Sequence, residues 1–166
     1  MALKETFIAE MQHEAANTRK MLERVPVEHF DFKPHEKSMT LKRLASHVAE
    51  LPEWTGYTLK YPELDFATVK YVPKDIRTKE DLLALHDESV RGAIADLKGS
   101  SNAQMKEIWV LRHGAHVILS MPKSDVIRSS VLNHIVHHRA QLGVYLRLLG
   151  VPIPGMYGPS ADESNG

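Results

Sequence analysis

The chain has 166 residues, of which 43% are hydrophobic and 25% are charged, a length that suits one compact domain and is short for two. The 21 lysine and arginine residues balance 21 acidic residues, and this zero net charge argues against a general nucleic-acid binder. No cysteine is present, which excludes disulfides, thiolate nucleophiles and cysteine-ligated zinc sites, whereas ten histidines remain available as metal ligands.

The N-terminus and the distribution of apolar residues predict where in the cell the protein is located. No run of about 18 apolar residues occurs, so the sequence excludes a transmembrane helix. Lys4 and Glu5 place charges where a signal peptide needs its apolar core. We therefore expect a cytoplasmic protein that binds neither membranes nor nucleic acid.

The N-terminal part of the sequence predicts two helices. The helical spacing of apolar residues begins at Leu3 and continues to about Val25, and Pro26 ends this first helix. After an ordered loop, Thr40 is a suitable N-cap for a second helix with one apolar face. Pro52 falls inside that pattern and predicts a kink or an early end.

The middle of the sequence predicts a loop, a third helix and a β-like insert. The loop covers residues 61–77, which show no sustained period. Thr78 and Asp81 resemble a capping pair at the start of the third helix. β-branched and aromatic residues around Gly114, within residues 106–121, predict a short hairpin or an extended excursion.

The last predicted helix completes an all-α fold class. Ser124 can cap this helix, which extends from about Asp125 to Leu149. The prediction is an up-and-down-type four-helix bundle with one longer connection and a small β-like insert before the last helix. We expect a single domain over residues 1–160 and a flexible tail over residues 161–166.

Two histidines lie in the middle of the apolar stripe of the last helix. At about 100° per residue, His134 and His138 point in the same direction as Val131 and Leu142, whereas His137 points towards the flank. Imidazoles four residues apart on a helix can chelate one metal ion because their rings project from the same face. Two interpretations of the pair are open: a site for metal binding or catalysis, and two neutral histidines of the core. Removing both imidazoles from water without partners costs free energy, which favours a metal or catalytic site.

A third ligand has to come from another helix. His47 lies about 80° from the centre of the apolar face of the second helix, which leaves open whether it is a ligand. Glu50 is a candidate fourth ligand, an acceptor for an imidazole N–H or, as the simplest interpretation, a surface charge. His113 and His116 could reach the mouth of a bundle, although their spacing around Gly114 is also typical of polar turn residues.

The overall pattern favours a mononuclear metal site. The last helix contains no glutamate, so the paired Glu-x-x-His motifs of a di-iron bundle are absent. Three nitrogen ligands with an open position fit better, and open positions are typical of catalytic metal sites. The histidines without a partner in the sequence are interpreted as surface or capping groups: His13, His29, His35 and His86.

Two stretches of the sequence resemble the DinB-like (DNA-damage-inducible) superfamily. Residues 132–150, LNHIVHHRAQLGVYLRLLG, resemble the closing helix of that superfamily, and the prolines and Tyr157-Gly158-Pro159-Ser160 that follow fit as well. Residues 34–41, PHEKSMTL, and residues 44–51, LASHVAEL, with Trp54, resemble its second-helix signature. Together the stretches cover the front and the rear of the chain.

The resemblance implies a four-helix bundle, often a homodimer, in which three histidines hold a divalent metal. One histidine comes from the second helix and two, four residues apart, come from the last helix. Matched to this sequence they are His47, His134 and His138, and His137 matches a recurrent neighbour that is not a ligand. We expect zinc or nickel first, with iron or copper as alternatives.

The resemblance also implies two kinds of activity on a small-molecule substrate: thiol-dependent S-transfer and metal-dependent hydrolysis. Without a cysteine in the chain, an S-transferase would use a low-molecular-weight thiol cofactor. A non-catalytic metal- or ligand-binding protein of the stress response is the remaining alternative, and it predicts a closed site with a fourth ligand. The candidates for that fourth ligand are Glu50, His113 and His116. The candidates for groups that support the ligands or face the substrate are Glu50, His137, His113 and His116.

Overall fold

A computed structural model describes residues 3–163, and most of them are helical. No helix within this range is long and apolar enough to cross a membrane. The α-helices are α1 Leu3–Leu22, α2 Leu41–Glu50, α3 Trp54–Lys60, α4 Lys79–Gly99, α5 Asn102–Met105, α6 Lys123–Val126 and α7 Asn133–Leu148. The β-strands are β1 Glu63–Asp65, β2 Ile108–His113 and β3 His116–Pro122.

Two helices begin at the capping residues that the sequence predicts. The side-chain oxygen of Thr40 accepts a hydrogen bond from the backbone N–H of Arg43 at 3.1 Å, at the start of α2. The side chain of Thr78 accepts from the N–H of Asp81 at 3.1 Å, and the carboxylate of Asp81 accepts from the N–H of Thr78 at 2.9 Å. This reciprocal capping box begins α4.

The second predicted helix is divided at Pro52, which confirms the expected break. α2 ends at Glu50, Leu51–Glu53 forms a 3₁₀ turn, and α3 begins at Trp54. Proline lacks an N–H and its ring clashes with the preceding helical turn, so the α-helical hydrogen bonds cannot continue across it.

A three-stranded sheet shows that the all-α class is wrong. β2 and β3 form the expected antiparallel hairpin, with Gly114 at φ +59° in its turn. β1 pairs in parallel with β2, so that Leu64 lies opposite Leu111, within a segment predicted to be a loop. Three residues are too few to show a period, and their partner strand is remote in the sequence.

The last predicted helix consists of three consecutive segments instead of one. α6 precedes a π-helical segment, Ile127–Leu132, and α7 follows it. The first turn of α6 begins directly after Pro122, and Ser124 lies within that helix, so the predicted N-cap at Ser124 is wrong. In the π-helical segment the N–H of Asn133 donates to the carbonyl of Arg128, a π-type hydrogen bond.

The core lies between α1, α2, α4 and α7, which pack against one another. One group of buried side chains includes Leu44 of α2 and Leu142 of α7. A second group includes Met11 of α1 and Val131 of the π-helical segment. Burial of Val131 and Leu142 confirms the apolar stripe predicted for the last helix, and the paired histidines lie between them along the chain.

Residues 161–163 are joined to the segment before them. The carboxylate of Asp162 accepts hydrogen bonds from Arg147 at 2.6 Å and from the N–H of Ile153 at 2.9 Å. Glu163 accepts from the N–H of Gly155 at 2.9 Å. The first half of the predicted flexible tail therefore has defined contacts, and residues 164–166 lie outside the described residues.

Candidate metal centre

Three histidines lie together where α2 packs against α7. His47 comes from α2, His134 and His138 come from successive turns of α7, and one ring nitrogen of each lies within 4.8 Å of the others. The Nε2 atoms of His134 and His138 are 2.8 Å apart. The ring centroid of His47 is 5.1 Å from that of His134 and 4.7 Å from that of His138. Packing of α2 on α7 thus brings His47, which lies at the edge of the apolar face of α2, next to the two histidines on the apolar face of α7.

Each of these imidazoles directs its Nδ1 atom at an oxygen acceptor. Donation from Nδ1–H to that oxygen leaves the lone pair of the ring on Nε2, which is the nitrogen then free to bind a metal. The three Nδ1 contacts are 3.3 Å from His47 to Oε1 of Glu50, 3.3 Å from His134 to the carbonyl of Ser130, and 2.7 Å from His138 to Oε1 of Gln141.

This arrangement fits a bound cation. Two neutral imidazoles whose Nε2 lone pairs face each other at 2.8 Å repel unless a proton or a cation lies between them. Imidazole nitrogens that bind one ion at about 2.0–2.1 Å lie roughly 3 Å apart, close to the separation seen between His134 and His138. Three imidazole nitrogens suit zinc, nickel, iron or copper.

Burial favours the neutral, metal-binding form of two of the rings. Partial removal from water lowers the pKa of His134, and its electrostatic interaction with the neighbouring His47 lowers it further. Burial also lowers the pKa of His138 to about 4, against the opposing effect of its hydrogen bond to Gln141. Protons therefore compete weakly for these nitrogens at neutral pH.

Glu50 lies beside the cluster, and its interpretation as a surface charge is wrong. The residue is only 8% exposed. Its carboxylate accepts hydrogen bonds from Arg43 at 2.9 Å and from the hydroxyl of Tyr71 at 3.0 and 2.9 Å, in addition to its contact with His47. Burial alone would raise the pKa of Glu50, but the hydrogen bonds from His47, Tyr71 and Arg43 outweigh it and lower the pKa. Glu50 is thus an ionised acceptor in contact with the His47 ring.

Sequence reasoning missed Tyr71, which lies in the loop between β1 and α4. The guanidinium of Arg43 lies 5.0 Å from the centre of the Tyr71 ring. Partial removal of its hydroxyl from water and the hydrogen bond to Glu50 raise the pKa of Tyr71 to about 12, so the hydroxyl remains a donor. No periodic pattern in the loop identifies this residue, because its contact with Glu50 depends on how the loop folds back over α2.

Comparisons with known proteins identify the family. A family model, DinB family, matches residues 1–165. The chain belongs to the DinB family. A DinB-like protein from Bacillus subtilis is similar in structure, with a TM-score of 0.70, 17% identity, and coverage of 91% of this chain and 96% of that chain. A DinB-like protein from Bacillus cereus has a TM-score of 0.69, 21% identity, and coverage of 92% and 97%. At these identities the likeness shows the fold alone, and no curated protein sequence matches.

The other candidate residues of this DinB family chain lie outside the cluster. His137 is exposed, and its ring centroid is 4.8 Å from that of His138. His113 and His116 are exposed at the two ends of the hairpin turn, the position of polar turn residues. Within residues 3–163, the three-histidine group contains none of them.

The histidines interpreted as surface or capping groups are not all exposed. His13, His29 and His35 are exposed, as that interpretation requires. His86 is only 2% exposed, and its Nε2 atom lies 3.1 Å from the carbonyl of Ala15. The surface interpretation is therefore wrong for His86, which joins α4 to α1.

A cavity of about 390 Å³ opens beside the cluster of this DinB family chain. We call it the His134 cavity, and its size falls within the range of small-molecule sites. Its lining residues are Trp54, Leu111, Ser129, Ser130, Asn133, His134 and His137.

Proposed function

We propose that this chain binds a divalent transition metal ion through His47, His134 and His138 and is an enzyme that acts on a small molecule. Three imidazoles that converge with every Nδ1 directed at an oxygen acceptor carry the proposal. Zinc or nickel is the favoured ion, and iron and copper are the alternatives. When bound, the ion would supply Lewis-acid chemistry at an open coordination position.

The donor set favours an enzyme over a closed metal-storage or bracing site. Among residues 3–163 the group consists of three histidines, and the carboxylate of Glu50 is engaged by Arg43, Tyr71 and His47. Structural zinc sites have four protein ligands, whereas catalytic sites combine three with an exchangeable position. The His134 cavity supplies room for a substrate beside the histidine cluster, since His134 belongs to both.

S-transfer from a low-molecular-weight thiol to an electrophile is the first candidate reaction, and hydrolysis of an ester or amide is the second. The family resemblance favours S-transfer, and the absence of cysteine requires that the thiol be a separate molecule. The residues available to act are Glu50, which orients His47, and His137, which lines the cavity and can contact a substrate.

A homodimer, a single domain over residues 1–160 and a cytoplasmic location are further parts of the proposal. Val144 and Leu148, on α7, are 59% and 60% exposed, and these apolar side chains support a second copy as their partner. Analytical ultracentrifugation tests the dimer, and a monomer at micromolar concentration would contradict it.

Metal analysis of purified variants tests the metal site. We expect about one ion per chain for the native protein and for His137→Ala, and loss of the ion in His138→Ala, because only the latter removes a cluster imidazole. A native chain that retains no metal after reconstitution contradicts the site.

Assays of the loaded protein with low-molecular-weight thiols plus a model electrophile, and separately with a chromogenic ester, distinguish the two reactions. Absence of metal-dependent conjugation with every thiol contradicts S-transfer, and absence of both activities contradicts an enzyme.

A further inference from the structure

We propose that the His134 cavity binds an uncharged, largely apolar small molecule that carries a carbonyl, amide or hydroxyl group. The inference deepens the proposed function, on which it rests, because it names the class of substrate. The proposal depends on the residues that line the cavity and not on a bound metal ion, so it can be tested on metal-depleted protein.

Among residues 3–163, those that line the cavity include no aspartate, glutamate, lysine or arginine. Trp54 and Leu111 supply its apolar surface, and Ser129, Ser130 and Asn133 supply neutral polar groups. Without a bound metal ion, moving a charged group from water into such surroundings costs free energy that no carboxylate, ammonium or guanidinium group of the wall offsets. An aromatic or aliphatic body against Trp54 and Leu111 gains from burial of apolar surface.

A second cavity, of about 300 Å³, differs from the first because charged side chains form part of its lining. Glu50, Glu53, Lys70 and Lys74 are among the residues that line it. Trp54 lines both cavities, so a charged and an uncharged wall meet at the same indole ring. The difference in lining supports an uncharged occupant for the His134 cavity.

The neutral polar groups of the His134 cavity are available to a ligand. The hydroxyl of Ser129 donates to the carbonyl of Asp125 at 2.7 Å, and its oxygen lies 3.5 Å from the hydroxyl oxygen of Ser130. A hydroxyl oxygen has two lone pairs, so Ser129 can still accept a hydrogen bond from a ligand. The side chain of Asn133 is exposed and forms no hydrogen bond within residues 3–163, so both its donors and its acceptor are free. A carbonyl, amide or hydroxyl group matches these neutral partners.

The cavity is also placed for chemistry. His134 both lines it and belongs to the histidine cluster, so a molecule in the cavity contacts the edge of the metal centre. Ser129 and Ser130 come from the π-helical segment 127–132, and π-helical turns occur frequently at functional sites.

Tryptophan fluorescence of the full chain tests the proposal. The chain has two tryptophans, and Trp54 lines the cavity whereas Trp109 is fully buried. The probes are benzamide, benzoate and benzylamine, which present one ring with zero, negative and positive charge. They are titrated into zinc-loaded and metal-depleted protein, and quenching must persist in Trp109→Phe and disappear in Trp54→Phe.

We expect saturable quenching by benzamide in both forms. In the metal-depleted form, benzamide should bind roughly tenfold or more tightly than benzoate or benzylamine. Equal or tighter binding of a charged probe in that form, or no saturable binding of benzamide, overturns the proposal. Failure to bind any of zinc, nickel, iron and copper would contradict the proposed function, and the benzamide titration of the metal-depleted form would still test the cavity.

A charge placed in the wall supplies the matched control. Asn133→Asp changes one exposed amide of the cavity to a carboxylate of the same shape, and Asn102→Asp makes the same change on an exposed residue of α5 outside it. The ratio of benzamide to benzylamine affinity should fall roughly tenfold in Asn133→Asp and stay unchanged in Asn102→Asp. An unchanged ratio in Asn133→Asp contradicts the proposal.

Discussion

Oε1 of Glu50 lies 3.3 Å from Nδ1 of His47, which leaves the other ring nitrogen of His47 for the histidine cluster. The same carboxylate accepts hydrogen bonds from Arg43 of α2 and from Tyr71 of the loop after β1. A carboxylate that holds an imidazole in this way fixes its tautomer and raises the basicity of its metal-binding nitrogen. The affinity of the centre for metal should therefore depend on residues that touch no metal.

Replacement of the orienting carboxylate should weaken metal binding without emptying the site. We expect Glu50→Gln to lower zinc affinity by roughly 10- to 100-fold, because the amide is a weaker acceptor for Nδ1–H of His47. Competition with a chromophoric chelator measures the affinity. Glu53→Gln is the matched control, since that half-buried carboxylate bonds Ser89 and not His47. Native affinity in a folded Glu50→Gln protein would contradict the orienting role.

The hydroxyl of Tyr71 should act through Glu50. We expect Tyr71→Phe to lower zinc affinity several-fold, because Glu50 then loses a donor that helps to hold its carboxylate in place. Tyr61→Phe, which removes the hydroxyl of a tyrosine that is 54% exposed, serves as the control. In a double-mutant cycle, the fold-loss of zinc affinity in Glu50→Gln/Tyr71→Phe should be smaller than the product of the fold-losses in the two single variants. Full multiplicative loss would show that Tyr71 acts independently of Glu50.

Local signals in the sequence predict much of the scaffold. The caps at Thr40 and Thr78 depend on residues within three positions, and the stripe that contains His134 and His138 depends on one helical period. Both are therefore visible without knowledge of the fold. The break at Pro52 is equally local, because it follows from the missing N–H of a single residue.

The remaining features depend on contacts between segments that are distant in the sequence. The three-residue strand β1 is defined by its pairing with β2 and has no period of its own. Helical geometry left the role of His47 open, because its place at the cluster requires the packing of α2 on α7. The surface-charge interpretation of Glu50 fails for the same reason, since the loop that carries Tyr71 folds over α2 and contacts its carboxylate.

A buried ion pair between α7 and α1 should dominate the response of stability to mutation. Arg139, which is 2% exposed, donates to a carboxylate oxygen of Glu14 at 2.6 Å and to the hydroxyl of Thr18 at 3.0 Å. We expect Arg139→Met to lower the free energy of unfolding by about 3–5 kcal/mol, because it leaves the Glu14 carboxylate buried without its counter-charge. Urea denaturation of the metal-depleted protein measures the effect.

A surface ion pair provides the comparison for Arg139. Arg128 pairs with Glu10 between partly exposed side chains, so Arg128→Met should cost less than about 1 kcal/mol. Removal of both buried charges in Glu14→Leu/Arg139→Met should recover part of the stability lost in Arg139→Met. Equal losses in Arg139→Met and Arg128→Met would show that the buried pair has no special role.

The buried ring of His86 should make stability depend on pH. Burial lowers the pKa of His86 below its ordinary value of 6.5, against the opposing effects of its hydrogen bond to the Ala15 carbonyl and of Asp87. Below about pH 6.5 the unfolded chain therefore binds a proton that the folded chain does not. The contribution to stability is fully present above the unfolded pKa and falls as the pH decreases towards the folded pKa.

Comparison of His86→Gln with the native chain isolates this effect. His134 and His138 have lowered pKa values as well, so both proteins share their contribution, and metal depletion removes any effect of metal release. Between about pH 7.5 and pH 5.5, the native chain should lose about 1 kcal/mol more than His86→Gln, given a slope of about 1.4 kcal/mol per pH unit for each proton. His35→Gln, at an exposed histidine, should follow the native curve. If the free energy of unfolding changed equally with pH in His86→Gln and in the native chain, His86 would be protonated as readily in the folded chain as in the unfolded chain, and the prediction would be wrong.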